Sequence, residues 1–100
     1  MNQALFSYIA ACPTAFQATA HTAALLEAEG YRPLRETEEW MLEPDGRYYV
    51  TRNGSSLIAF RLPKGRPAGF MMTAAHSDSP TFKIKENAEL AGEYETRLSV

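Results

Sequence analysis

Apolar positions recur at helical spacing over the first third of the chain. Leu5, Phe6 and Ile9 give residues 3–11 one apolar side, which predicts a short helix. Cys12-Pro13-Thr14 interrupts it. Proline disfavours helix at the residue before it, and Thr14 can cap a second helix beyond the break. There Phe16, Thr19, Ala23 and Leu26 stand at i, i+3, i+7 and i+10, a single stripe of a 3.6-residue period. This predicts a helix over about 14–29 with Gly30 as the residue past its end. Burial of Phe16 and Leu26 on that stripe would contribute roughly 1.5–3 kcal/mol each.

After residue 46 the period changes from 3.6 to 2. Residues 31–46 read as irregular, with Pro33, Pro44 and Asp45-Gly46 as turn signals and Trp40 as an apolar anchor among polar neighbours. Tyr48 to Arg52 and Ser56 to Leu62 flank Asn53-Gly54, a pair suited to a type I′ turn because both central residues need positive φ. A hairpin is therefore predicted over about 48–62, with Tyr48 and Tyr49 explained by strand packing. The near-continuous apolar run around 69–75 predicts a strand buried on both faces, with Met71 and Met72 as core fillers. A further strand is expected at about 82–86, and another from Tyr94 towards Val100. The class implied is α/β (or α+β): an amino-terminal helix packed on a mostly antiparallel or mixed sheet.

Composition narrows the class of protein. One hundred residues make room for one small domain. A chain 45% hydrophobic and 11% aromatic can fold, which argues against disorder. No apolar run approaches the roughly 20 residues of a spanning helix, and no basic residue precedes the apolar start, so neither a membrane span nor a secretory leader is expected. Cys12 is the single cysteine; with no disulfide possible within the chain, a reducing, cytoplasmic setting is expected. A net charge of −2 and a pI near 5.6 argue against nucleic acid as the main partner. Charge is uneven: residues 1–46 hold two basic and seven acidic side chains, and residues 47–100 hold eight and five. This describes two faces of one fold and names no function.

The sharpest chemical signal is Ala75-His76-Ser77-Asp78-Ser79-Pro80, placed where a predicted strand runs into a loop. A histidine two residues before an aspartate can bring both side chains together. The carboxylate can then accept one ring N–H and leave the other nitrogen as a ligand. Spacing alone also fits a satisfied turn histidine. His21 reads as a helix-surface or partly packed residue, and Cys12 as a buried, inert thiol. Glu36, Glu38 and Glu39 read as a solvated surface. Lys64-Gly65-Arg66 lacks the glycine spacing and following helix of a phosphate loop.

Tyr48 to Phe60, followed by Ala75-His76-Ser77-Asp78-Ser79-Pro80, resembles the aspartyl-aminopeptidase family of zinc peptidases. Cys12-Pro13-Thr14-Ala15-Phe16, Leu26 to Tyr31 and Glu36 to Trp40 agree, in the family's order and over nearly the whole chain. Ser77 stands where threonine is common, and Gln17 where the family often has histidine. The resemblance implies a two-zinc aminopeptidase acting on peptide substrates, in which His76 ligates a zinc ion and Asp78, the candidate catalytic residue beside it, holds that imidazole. It implies further that residues 1–100 are the amino-terminal part of a single catalytic domain, that the remaining ligands and the general base lie beyond them, and that the piece alone is inactive. It also implies a homo-oligomer, expected here through strand addition or a swapped terminal segment. The alternative is a stand-alone small α/β domain that takes a peptide or partner along an exposed sheet edge.

Overall fold

The computed structural model describes residues 2–80, 82, 84–92 and 96–99. Helix α1 spans Asn2–Ala11 and helix α2 spans Ala15–Ala28. Thr14 sits between them in extended backbone, and its hydroxyl accepts the Gln17 N–H at 3.3 Å. Gln17 thus serves as a capping partner, its side-chain oxygen accepting from the Thr14 hydroxyl at 3.1 Å. The far end of α2 closes as a Schellman motif. Gly30 takes φ 87°, its N–H bonds the Glu27 carbonyl, and the Tyr31 N–H bonds the Leu26 carbonyl. The Arg47 guanidinium donates to the Glu29 carbonyl at 2.9 Å, placing a cation on the negative end of the helix.

The chain then forms three strands: β1 (Arg32–Leu34), β2 (Arg47–Arg52) and β3 (Ser56–Arg61), ordered β1-β2-β3. β1 runs parallel to β2, with Arg32 opposite Tyr48; β2 and β3 are antiparallel, with Tyr48 opposite Phe60. Asn53 and Gly54 take φ 54° and 66°, the left-handed backbone the expected turn requires. β1 falls inside the segment expected to be irregular. Its three residues are too few to show a period, and Pro33 reads as a turn signal although an edge strand tolerates it. A second ladder pairs β4 (Glu89–Ala91) with β5 (Thr96–Leu98). The class is α/β, two helices packed with mixed and antiparallel sheet.

Tyr48, Tyr49 and Val50 are buried in succession, so β2 is covered on both faces. On one face Tyr48 meets Phe60, ring centroids 5.7 Å apart, and Phe60 meets Trp40 at 6.3 Å. Trp40 comes from the 35–46 crossover and donates its indole N–H to the Arg35 carbonyl. On the other face lies α2, which buries Ala18 and Thr19. Phe16, expected on the buried stripe, is instead exposed. The helix approaches the sheet through its small side chains, and Phe16 lies beside the hairpin turn: a Cβ on Gly54 would come within 3.6 Å of its ring.

Residues 68–75 are the main departure from expectation. They form no strand, and Phe70, Met71 and Met72 are 92%, 104% and 90% exposed. Met71 and Met72 therefore fill no core. An apolar run states a demand for burial, but a strand also needs a neighbour that accepts its N–H groups, and among the described residues no backbone hydrogen bond is made by this run. The strand expected at 82–86 is likewise absent from the described residues of that stretch. Asn87, at φ 53°, turns the chain there, and the Lys85 N–H reaches the Ser99 carbonyl. Lys83 of that stretch, and Tyr94 and Val100 at the two ends of the last expected strand, lie outside the described residues. The chain is correspondingly long, 71 × 36 × 23 Å, with a radius of gyration of 19.7 Å against about 13 Å for a compact chain of this length.

Candidate functional site

His76 follows the run 68–75, which belongs to no helix or strand, and is well exposed. Its Nδ1 lies 2.8 Å from the backbone carbonyl of Asp78 and 3.2 Å from that residue's carboxylate Oδ1. Both neighbours are acceptors, so Nδ1 carries the proton, and in the neutral imidazole the lone pair resides on Nε2. Nε2 has no hydrogen-bond partner among the described residues. The spacing thus brings together the two residues it singled out. The carbonyl of Asp78, the nearer acceptor, is a contribution that side-chain reasoning missed.

The intervening residue points elsewhere. The Ser77 hydroxyl donates to the Ser55 carbonyl at 2.8 Å, joining the His76 loop to the end of the β2–β3 turn. No sequence signal marks a tie across 22 residues. Between α2 and the loop lies a cavity of about 280 Å³ whose walls include Tyr8, Thr22, Leu57 and His76. The Tyr8 and Thr22 hydroxyls share a 2.8 Å hydrogen bond there. A wider cleft of about 880 Å³ runs beside Arg61, Lys64 and Phe70 and includes neither His76 nor Asp78.

The remaining candidates fall into structural roles. His21 packs edge-on against Tyr8 at 5.4 Å. Cys12 is a buried free thiol at the bend between the helices. Glu36 takes a two-pronged hydrogen bond from Arg52, which holds its carboxyl below the usual range and raises the guanidinium in return. Among the described residues no three histidine, cysteine or carboxylate side chains gather as a metal site would require. His76 presents a free Nε2, and no described residues complete a metal site around it. No helix among these residues is long and apolar enough to cross a membrane.

Comparison with known proteins points one way. A family profile described as aminopeptidase I zinc metalloprotease (M18) matches residues 8–99. A probable M18 family aminopeptidase 2 of Pseudomonas paraeruginosa is 52% identical over 93 residues, 91% of this chain and 22% of that protein. The protein of the same description from Pseudomonas fluorescens is 50% identical over 92 residues, 90% of this chain and 21% of its own length. Among solved structures, the cryo-EM structure of the Ape4 and Nbr1 complex superposes with a TM-score of 0.79 at 33% identity, over 92% of this chain and 18% of that one. The structure of Chaetomium thermophilum mApe1 gives 0.58 at 35% identity, over 60% and 14%. The chain spans about a fifth of the length of the curated relatives it matches.

Proposed function

This chain belongs to the M18 aminopeptidase family, and on that premise we propose that it is the amino-terminal part of a catalytic α/β domain that removes amino-terminal residues from peptides. In this reading His76 holds one zinc ion through Nε2, and Asp78 is the residue that orients it. The observation that carries the proposal is the pair of Asp78 acceptors on Nδ1, which fixes the tautomer a ligating imidazole needs. When bound, zinc supplies Lewis acidity, polarising the scissile carbonyl and acidifying water.

The chain's own contribution is narrower. Asp78 keeps the His76 proton on Nδ1 and restrains rotation of the ring. Metal-assisted hydrolysis also needs further ligands and a general base within hydrogen-bond reach of the attacking water. Asp78, which orients the ring, is the carboxylate beside His76, and no cluster of three possible ligands forms among the described residues. Residues 1–100 by themselves therefore bind zinc weakly and do not turn over peptides. The test is metal analysis and an aminopeptidase assay on this chain beside a full-length relative, each with and without His76→Ala. Turnover by the 100-residue chain that is lost in His76→Ala and restored by zinc overturns the proposal of inactivity. Full activity of the relative carrying the equivalent substitution overturns the ligand role.

A second reading is supported by the β3 edge, which pairs with no further strand among the described residues, and by the uncovered run at Phe70–Met72. It is a non-catalytic module that accepts an extended peptide as an added strand. Both readings are compatible with a homo-oligomer joined by strand addition and with the cytoplasmic setting that a lone thiol favours.

A further inference from the structure

We propose that Ser77 is a positioning residue: by donating to the Ser55 carbonyl, its hydroxyl latches the loop that presents His76 onto the β2–β3 turn. The inference rests on the reading of His76 as a zinc ligand and adds a residue to that site.

Little else holds the loop. Residues 64–80 join no ladder, and no backbone hydrogen bond ties them to the helices or the three-stranded sheet among the described residues. The His76–Asp78 contacts are local to the loop and fix the ring relative to its own backbone. They do not fix the loop relative to the fold. The 2.8 Å bond from Ser77 to Ser55 is the polar tie that does.

The acceptor it uses is well supported. Asn53 and Gly54 hold left-handed backbone, and the Ser55 N–H closes the turn on the Arg52 carbonyl at 3.2 Å. The Phe16 ring from the first turn of α2 stands against Gly54. Support therefore runs from α2 through the turn to the Ser55 carbonyl, then through Ser77 to the residues on either side of it. His76 and Asp78 face each other, while Ser77 alone reaches the hairpin. The latch and the imidazole clamp use different side chains and do not compete. A carbonyl acceptor requires a donor at position 77, which serine and threonine supply and alanine does not.

The experiment uses the nitrogen-15-labelled 100-residue chain, read by amide relaxation at residues 75–79 and by the shift of the His76 ring resonances on titration with zinc chloride. Ser77→Ala is expected to lower the order parameters of these amides from rigid values towards about 0.6 or less. It should also weaken the zinc-dependent shift about three- to tenfold, the scale of losing one neutral hydrogen bond. Ser77→Thr is expected to restore both. Unchanged relaxation in Ser77→Ala, or failure of Ser77→Thr to restore it, overturns the latch. If relaxation responds as expected but zinc shifts His76 in no variant, the latch stands and the weak zinc binding proposed for residues 1–100 alone fails, while the ligand role is decided by the His76→Ala equivalent in a full-length relative.

Discussion

The Tyr49 hydroxyl donates a hydrogen bond to the Glu27 carboxylate, tying the middle strand of the sheet to the last turn of α2. That bond, with burial and the negative charge of Glu27 adding to it, pushes the phenol's pKa up to about 12. The unfolded phenol ionises near 10, so the unfolded chain releases its proton first as pH rises. The stabilisation is thus fully present below pH 10 and is lost between about 10 and 12. Tyr49→Phe should cost about 1–2 kcal/mol at neutral pH, because an exposed Glu27 carboxylate regains water. It should also flatten that alkaline loss, as urea unfolding at pH 8 and pH 11 would reveal.

Gly46 faces a different constraint. A Cβ there would come within 2.7 Å of the Tyr48 ring carbon Cζ. The ring cannot move aside, since Tyr48 is buried and its hydroxyl is held by the Glu43 N–H at 2.9 Å and by Arg32 at 3.2 Å. Gly46→Ala should therefore destabilise by about 1–3 kcal/mol through overpacking. Gly65→Ala, where nothing lies within 4 Å, should leave the thermal midpoint unchanged.

At the His76 loop, the backbone carbonyl of Asp78 bounds the effect of side-chain change. Asp78→Asn removes the anionic acceptor at 3.2 Å and keeps the carbonyl at 2.8 Å. Zinc affinity in a full-length relative carrying this change should fall about tenfold, the low end of the range for residues that orient a ligand. His76→Ala should abolish activity there. In the 100-residue chain it should leave the circular dichroism spectrum as it was.

Self-association is expected from the uncovered run at Phe70–Met72 and from the β3 edge, unpaired among the described residues. The chain should elute as a dimer or larger species in light scattering. Phe70→Lys with Met72→Lys should shift it towards monomer, by charging the run that demands cover. A clean monomer of the unsubstituted chain at high concentration removes the basis for strand-mediated assembly.

Legibility in the sequence divides by distance along the chain. Thr14 as a cap, Gly30 past a helix end and Asn53-Gly54 at a turn are local signals, and each acts locally in the fold. The His76–Asp78 contact spans two residues and is legible for the same reason. Phe16 is misplaced by its spacing because periodicity names the face a helix could bury. It does not say that α2 approaches the sheet on its smaller side chains, Ala18 and Thr19. The run at 69–75 is misplaced because apolarity reports a demand for burial without supplying the partner strand. Ser77 to Ser55 joins residues 22 apart, beyond the reach of spacing arguments.

The uncovered stretch has a last consequence, in cellular housekeeping. Exposed apolar surface such as Phe70–Met72 makes a chain prone to aggregate until it is covered. The abundance of this chain in a cell is therefore expected to follow how quickly that stretch finds a surface to cover it, ahead of any unfolding of the Tyr48–Val50 core.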